Sequence, residues 1–286
     1  MMSDTKINKA YKDRLFCLLF GREEYKENIL SLYNALNNTS YTNVEDIEIT
    51  TIDDAIYIKM KNDVSFLIDS YLLLWEQQSS FNPNMPVRGM MYFGKLYSAY
   101  IKMRNLNIYG STLISIPTPK YMVLYNGEQN ASATVKLKLS DAFMNKDDSG
   151  DFEWTATMIN LNKGKNDSLL AKCKVLSDYM YLIGLIKKYQ KTMEFADAVD
   201  KAVVECIEND VLADFLIRHR AEVKDVCITE FDEKAFVNGI REEGCQNEQI
   251  RIVKNMLSQS KTGPEIADLL ALPLEEVENL IKLATN

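Results

Sequence analysis

The sequence predicts an α/β (α+β) fold in which an αβββαβ core with a mixed sheet is followed by an α-helical C-terminal half. Three features carry this reading. Apolar residues recur at helical spacing over residues 23–37 and again over 84–104. Between them, residues 55–60, 63–68 and 71–78 are short runs rich in β-branched and aromatic residues or leucine, bounded by turn signals. Beyond about residue 150 the spacing turns helical and stays so.

Over residues 23–37, Ile29, Leu32, Tyr33 and Leu36 fall at i, i+3, i+4 and i+7, one apolar helix face, and Asn37-Asn38 is its stop. Upstream, Phe16, Leu19 and Phe20 form an apolar cluster closed by Gly21 and are assigned to core packing. Ile56 and Ile58 alternate with Tyr57 and Lys59; Val64, Phe66, Leu67 and Ile68 follow in the next strand. Asp69-Ser70 is a turn signal, and the third strand runs through Trp75 and Glu76 to residue 78. Asn82-Pro83-Asn84 breaks the chain. Asn84 is expected to cap the helix of 84–104, with Pro86 tolerated in its first turn. Met90, Phe93, Tyr97 and Tyr100 lie on one side of that helix. Residues 121–125 form a strand closed by Asn126-Gly127, and residues 133–139 are a further strand candidate.

Residues 144–151, containing Asp147-Asp148-Ser149-Gly150, read as an exposed loop. From Ser168, Leu176, Tyr179, Met180 and Ile183 mark one helix face, and Ala196, Val199, Val203 and Cys206 the next. Three short helices are expected from Asn247. Their apolar positions are Ile250, Val253, Met256 and Leu257, then Ile266, Leu269 and Leu270, then Leu274, Val277, Leu280 and Ile281. The expected domain boundaries are 1–145, 146–245 and 246–286.

Of 286 residues, 47% are hydrophobic, enough for a packed core. No apolar run approaches the ~20 residues needed to cross a bilayer, and the start lacks an apolar signal core. The expectation is a soluble, cytoplasmic protein with no membrane partner. Cys17, Cys173, Cys206, Cys227 and Cys245 are scattered, odd in number and without C-x-x-C, which predicts reduced and mostly buried thiols. The single histidine, His219, counts against a histidine-based zinc site and leaves a hydrolytic triad one candidate base. Hydrolytic chemistry on this chain would fall to carboxylates and a hard cation. The net charge of −8 counts against broad adhesion to nucleic acid, which needs basic surface and counterion release, but leaves room for a local basic groove.

If Asp69-Ser70 is a two-residue hairpin loop, Ile68 pairs with Tyr71, Asp63 lies across from Glu76, and Lys61 lies across from Gln78. Opposed residues share a face with Cβ atoms ~4.5–5.5 Å apart, and Glu76 and Gln78, two apart, share that face. Two facing carboxylates repel unless something neutralises them. Mg²⁺ takes oxygen ligands and keeps several waters, so two carboxylates and a phosphate oxygen make a sufficient site. It polarises a phosphoryl group and acidifies water without histidine. On spacing alone a second reading stands beside this one: Asp63 ends a strand and Glu76 faces solvent. In the metal reading, Asp63→Asn and Glu76→Gln both relieve the repulsion and are expected to behave alike.

Asp63, the apolar run Val64–Ile68, and Glu76-Gln77-Gln78-Ser79 resemble the D…E-x-K/Q signature of the PD-(D/E)XK nuclease superfamily. A wider set of segments resembles the recombination-promoting nuclease and transposase family. These are Lys12-Asp13-Arg14-Leu15-Phe16 with Leu19-Phe20-Gly21, residues 62–69, and Asn82-Pro83-Asn84-Met85-Pro86. Pro119 with Val123-Leu124-Tyr125-Asn126-Gly127, and Ala221-Glu222-Val223 with Thr229-Glu230, extend the resemblance over most of the chain. It implies a restriction-endonuclease-like core and a DNA endonuclease dependent on Mg²⁺ (or Mn²⁺). In that reading Asp63 and Glu76 hold the metal, and Asp63, Glu76 and Gln78 are the catalytic set. The superfamily's usual lysine is Gln78 here, which removes a positive charge from the scissile phosphate. Lys61 is the candidate to restore it, against its reading as an ordinary exposed lysine. Arg88, Tyr92 and Lys95 share one helix face and read as DNA or phosphate contacts or as a solvated face; Asp13 is an accessory candidate. Lys59, Lys61, Arg88 and Lys95 are expected to form a neutral-to-positive rim, since phosphates must be held. DNA is the implied partner, with a homo-oligomer as a second. The alternative function is a nuclease-fold module that binds DNA or a protein without turnover.

In the tail, Glu265-Ile266-Ala267-Asp268, Leu270, Leu272, Leu274 and Val277 resemble a helix-turn-helix. A DNA-reading helix meets phosphates; here Glu275, Glu276 and Glu278 stand against Lys282. Protein contact or packing is favoured over DNA reading, which stays as the alternative.

Overall fold

The computed structural model describes residues 11–50, 63–147, 149–228, 253–257, 261–270, 272, 277–278 and 281. The chain divides into two units, Met1–Glu230 and Phe231–Asn286. The first unit contains α1 (Tyr11–Phe20), α2 (Lys26–Asn37), β1 (Ile47–Ile49), β2 (Val64–Ile68), β3 (Tyr71–Gln78) and α3 (Met85–Met103). There follow β4 (Thr118–Tyr125), β5 (Thr134–Lys138), β6 (Thr155–Asn160), α4 (Asp167–Lys172), α5 (Lys174–Tyr189), α6 (Phe195–Glu208), α7 (Ala213–Arg218) and α8 (Arg220–Ile228).

The strands form one six-stranded mixed sheet in the order β1-β2-β3-β4-β6-β5. Strands β3, β4 and β6 run parallel; β1 and β2 at one side and β5 at the other are antiparallel to their neighbours. The β2–β3 hairpin has the expected register, Ile68 against Tyr71 through Val64 against Trp75. Asp69 closes the turn in the left-handed region, φ 53°, which the short polar side chain of aspartate tolerates.

Both faces of this hairpin are covered, which is why β2 and β3 read as near-continuous apolar runs. On one face Phe66, Leu73 and Trp75 join residues of α1, α2 and α5, with the Phe66 and Trp75 rings edge to face at 4.7 Å. On the other, Leu72, Leu74, Tyr121 and Val123 pack with Tyr92, Phe93 and Leu96 of α3. The alternation puts Glu76 on the α3 face and Gln77 on the opposite one.

Several boundaries match the sequence reading, and several do not. Helix α2 ends where expected, with Asn38 left-handed at φ 53° and ψ 43°. Pro86 does sit in the first turn of α3, but the Asn84 side chain makes no cap. Proline removes one of the N–H donors a cap would satisfy. The Asn84 N–H donates instead to Asn82 Oδ1 at 2.9 Å. The apolar cluster at Phe16, Leu19 and Phe20 belongs to helix α1. Strand β1 was not anticipated, since three residues are too few to show a period. The expected strand at 55–60 lies outside the described residues. Strand β6 was also not anticipated: its inward positions are Ala156, Met158 and Asn160, a weak apolar signal. The sheet therefore continues to Asn160, past the expected boundary at 145.

In the helical part, Leu176, Tyr179, Ile183, Val199, Val203 and Cys206 are buried as expected. In the second unit, helix α9 (Gly263–Leu270) turns Ile266 inward. Val253, Ile266 and Val277 form a small core with Ala267 and Leu270 against it. Leu269, expected inside, is 58% exposed. Ile250, Leu274 and Leu280 lie outside the described residues. Cys173, Cys206 and Cys227 are buried and Cys17 half-buried, all unbridged. Among the described residues no helix is long and apolar enough to cross a membrane.

Gly127, just after β4, is held close to the end of β3: a Cβ there would sit 2.5 Å from the Ser79 carbonyl oxygen. Backbone cannot move aside as a side chain does. Gly127→Ala is expected to destabilise the first unit by about 1–3 kcal/mol, read as a lowered midpoint in thermal or denaturant unfolding.

Candidate active site

The parallel strands β3 and β4 end together, Gln78 beside Tyr125, and the carboxylates gather at that edge. Asp63 immediately precedes β2, one step beyond the Val64–Trp75 pair, and so stands opposite Glu76. Its Oδ2 accepts a 2.6 Å hydrogen bond from the Gln77 N–H. Glu76 is 0% exposed, so it does not face solvent. Its Oε2 accepts from Arg88 Nη2 at 2.9 Å. Arg88 Nη2 also donates to the Tyr92 hydroxyl at 3.0 Å, and the guanidinium lies 5.6 Å from the Tyr92 ring centroid. Asp13 reaches the same field from α1, close enough for the charges of Asp63 and Arg88 to act on it.

The three carboxyls are all held towards their protonated forms. Burial pushes Asp63 up to about 7, against the Gln77 N–H and Arg88, which favour its charge. Burial, then the nearby Asp63, pushes Asp13 up to about 8. Burial, then Asp63, holds Glu76 well above the usual range, with Arg88 pulling the other way. Glu76 Oε1 and Asp13 Oδ1 are buried with no hydrogen-bond partner among the described residues. Native proteins rarely leave such atoms unsatisfied, and a carboxylate oxygen in that state suits a cation. Asp13, Asp63 and Glu76 do not close into a cage, however: among the described residues no three Asp, Glu, His or Cys side chains form a metal-holding group.

The structure brings Asp63, Glu76, Asp13, Arg88 and Tyr92 together. Gln78 shares the strand face of Glu76 and is half-buried at the edge. Arg88 and Tyr92 read from the sequence as DNA or phosphate contacts or as a solvated face. They do share a helix face, but that face lies on the sheet: Tyr92 is 3% exposed, and Arg88 is the internal partner of Glu76. Lys95 is half-buried one turn further on. Lys59 and Lys61 lie outside the described residues, so of the expected rim Arg88 and Lys95 are placed.

Sequence reasoning gave no part in the site to Lys12, Asn126, Tyr121 or Tyr179. Lys12 is 6% exposed, and its Nζ donates to Asn126 Oδ1 at 3.3 Å. The Asn126 N–H donates to the Gln78 carbonyl at 3.1 Å. The Tyr179 hydroxyl donates to the Lys12 carbonyl at 3.1 Å. Burial, then Lys187, lowers the Lys12 ammonium to about 8. Asn126 reads from the sequence as a turn residue and as part of the family resemblance, and nothing local marks it as buried. The Gln77 side chain, on the opposite face, is buried with both polar atoms unpartnered among the described residues; nothing in the structure explains it. Comparison with protein-family models, curated proteins and solved structures finds no match.

The raised carboxyls have a consequence for pH. In the unfolded chain these aspartates lose their protons near 3.8; folded, Asp63 and Asp13 keep theirs to about 7 and about 8. Their contribution to stability is therefore complete below the unfolded value and is lost as pH rises through the folded ones. The metal-free protein is expected to lose thermal midpoint between pH 5 and 8, and Asp13→Asn and Asp63→Asn are each expected to flatten that fall. A midpoint that rises steadily over this window in the wild type would contradict the coupling.

Proposed function

We propose that this chain is a divalent-cation-dependent DNA endonuclease of the PD-(D/E)XK kind, resembling the recombination-promoting nuclease and transposase family. The observation that carries the reading is the β2–β3 register, which sets Asp63 opposite Glu76, with Gln78 on the same face. It lies at the carboxyl ends of parallel strands, where open α/β sheets bind ligands.

Asp63 and Glu76 would hold Mg²⁺ or Mn²⁺. Two carboxylates suffice, because Mg²⁺ fills its remaining positions with water and substrate oxygens. The partnerless Glu76 Oε1 fits that use. When bound, the cation supplies polarisation of the phosphoryl oxygen and acidification of water. The rest is the work of this chain. The Gln77 N–H fixes the Asp63 carboxylate. Gln78, in place of lysine, orients a water or a phosphate oxygen by hydrogen bonding alone. Arg88 pairs with Glu76 and favours its charged form against burial, and its guanidinium would be available to a phosphate where a cation took over that carboxylate. Asp13 adds to the negative potential that draws the cation.

A second reading, a nuclease-fold module that binds without turnover, is favoured by one observation. The Arg88–Glu76 pair already neutralises the glutamate, so the site has a resting state that needs no metal.

Two measurements test the proposal. Millimolar Mg²⁺ or Mn²⁺ is expected to raise the thermal midpoint of the wild type by linkage and to support plasmid cleavage, and Asp63→Ala is expected to abolish the cleavage. Cleavage that survives Asp63→Ala would sink the assignment. In the midpoint assay the two conservative variants should part company. Asp63→Asn is expected to remove the metal-induced rise while leaving the metal-free protein as stable or more so, because it removes repulsion. Glu76→Gln is expected to remove the rise and also to destabilise the metal-free protein by about 1–2 kcal/mol, since Arg88, though partly solvated, loses its ionic partner.

A further inference from the structure

A second, cationic feature lies beside the acidic edge. Gly184, Lys187 and Lys188 fall at i, i+3 and i+4 on one face at the C-terminal end of α5, and Lys191 follows in the turn just after the helix. With Gln190 and Glu128 they line a cleft of about 470 Å³. Glu128 is the one carboxylate in that lining, so the cleft carries an excess of positive charge in a chain of net charge −8. The buried Lys12 ammonium is close enough to Lys187 for the two positive charges to act on each other. Two adjacent ammonium groups repel each other, and an anion between or beside them relieves this. Lys12 is in turn held by Asn126, whose N–H donates to the Gln78 carbonyl, so Lys12 and Asn126 link the cleft to the acidic edge.

Cations at a helix C-terminus interact well with its dipole, which accounts for Lys187 and Lys188. It does not account for Gly184. Glycine is a poor helix former, and nothing in the fold asks for it here: a Cβ at Gly184 would meet no atom within 4 Å. The missing side chain leaves the helix backbone open to whatever occupies the cleft.

We propose that this cleft is a phosphate subsite of the nuclease. It would hold, through Lys187, Lys188 and Lys191, a backbone phosphate of the nucleic-acid strand next to the one cut at the Asp63–Glu76 edge. The proposal rests on the nuclease reading for its ligand. It adds a cationic surface on the α5 side to the expected rim, of which Arg88 and Lys95 are placed. Lys12 acts as a positioning residue, holding Asn126 and the turn that borders the cleft.

The test is equilibrium binding of a fluorescent DNA duplex to the metal-free full chain across a salt series, with plasmid cleavage followed in parallel. Each lysine–phosphate contact contributes about 0.9 to the slope of log affinity against log salt on duplex DNA. Lys187→Gln/Lys191→Gln is therefore expected to lower the slope by about 2 and to weaken binding to all sequences alike. Gly184→Leu, which favours helix and fills the cleft, is expected to keep or raise the thermal midpoint while weakening binding. A merely structural role for the glycine would not give that split. If the lysine variant binds with wild-type affinity and slope while cleavage still depends on Asp63, the cleft proposal falls and the nuclease reading stands. If the slope drops as expected but the wild type never cleaves, the subsite stands and turnover falls. If the wild type binds no DNA, both fall.

Discussion

The two-residue turn at Asp69-Ser70 is the constraint on which the rest of the site depends. It closes β2 onto β3 in one register, and a slip of one residue would turn every side chain of a strand to the opposite face. Here such a slip of β3 would exchange Leu73 and Trp75, packed on one face, with Leu72 and Leu74 on the other. Both layers are filled with residues of differing shape, so the misfit would be felt on both sides. The same register carries Asp63 to Glu76. The apolar packing of the hairpin thus fixes the relation of two carboxylates that would not choose to be neighbours.

The electrostatics at that edge work against the fold. Three carboxyls share a buried field with one guanidinium, and each is held above its ordinary range by burial and by its neighbours. Left to themselves, such groups neutralise rather than remain charged in a low-dielectric surrounding. Arg88 offsets part of this from α3, and the packing of α3 through Tyr92, Phe93 and Leu96 keeps it there. The helix is therefore both a layer of the core and the carrier of the counter-charge. This double role explains why Arg88 points inward, although a sequence pattern of Arg88, Tyr92 and Lys95 along one face suggests a surface.

How much of this was legible beforehand depended on the range of the signal. The hairpin register, the helix with Pro86 in its first turn and the end of α2 at Asn38 could be read, because turn chemistry and side-chain period are local. The pairing of Asp63 with Glu76 followed from the register alone. Strand β6 could not be read: its place between β4 and β5 is a matter of tertiary pairing, and Thr155 to Asn160 carries little apolar contrast. The partner of Glu76 and the burial of Lys12 and Asn126 were hidden for the same reason. They arise where α1, α3 and the end of β4 meet, and no spacing within any one segment reports such a meeting.

The strand order has a consequence for how the chain assembles as it is made. Strand β5 hydrogen-bonds only to β6 among the described strands, and β6 inserts between β5 and β4. When β5 leaves the ribosome it has no neighbour, and β4 presents an open parallel edge until Thr155–Asn160 arrives. Exposed edges of this kind invite pairing with other chains, and parallel pairs joined by long crossovers close late. Among the described strands the sheet is finished by the last in sequence, so a nascent chain stopped short of residue 160 already carries Asp13, Asp63 and Glu76 on an unsealed scaffold.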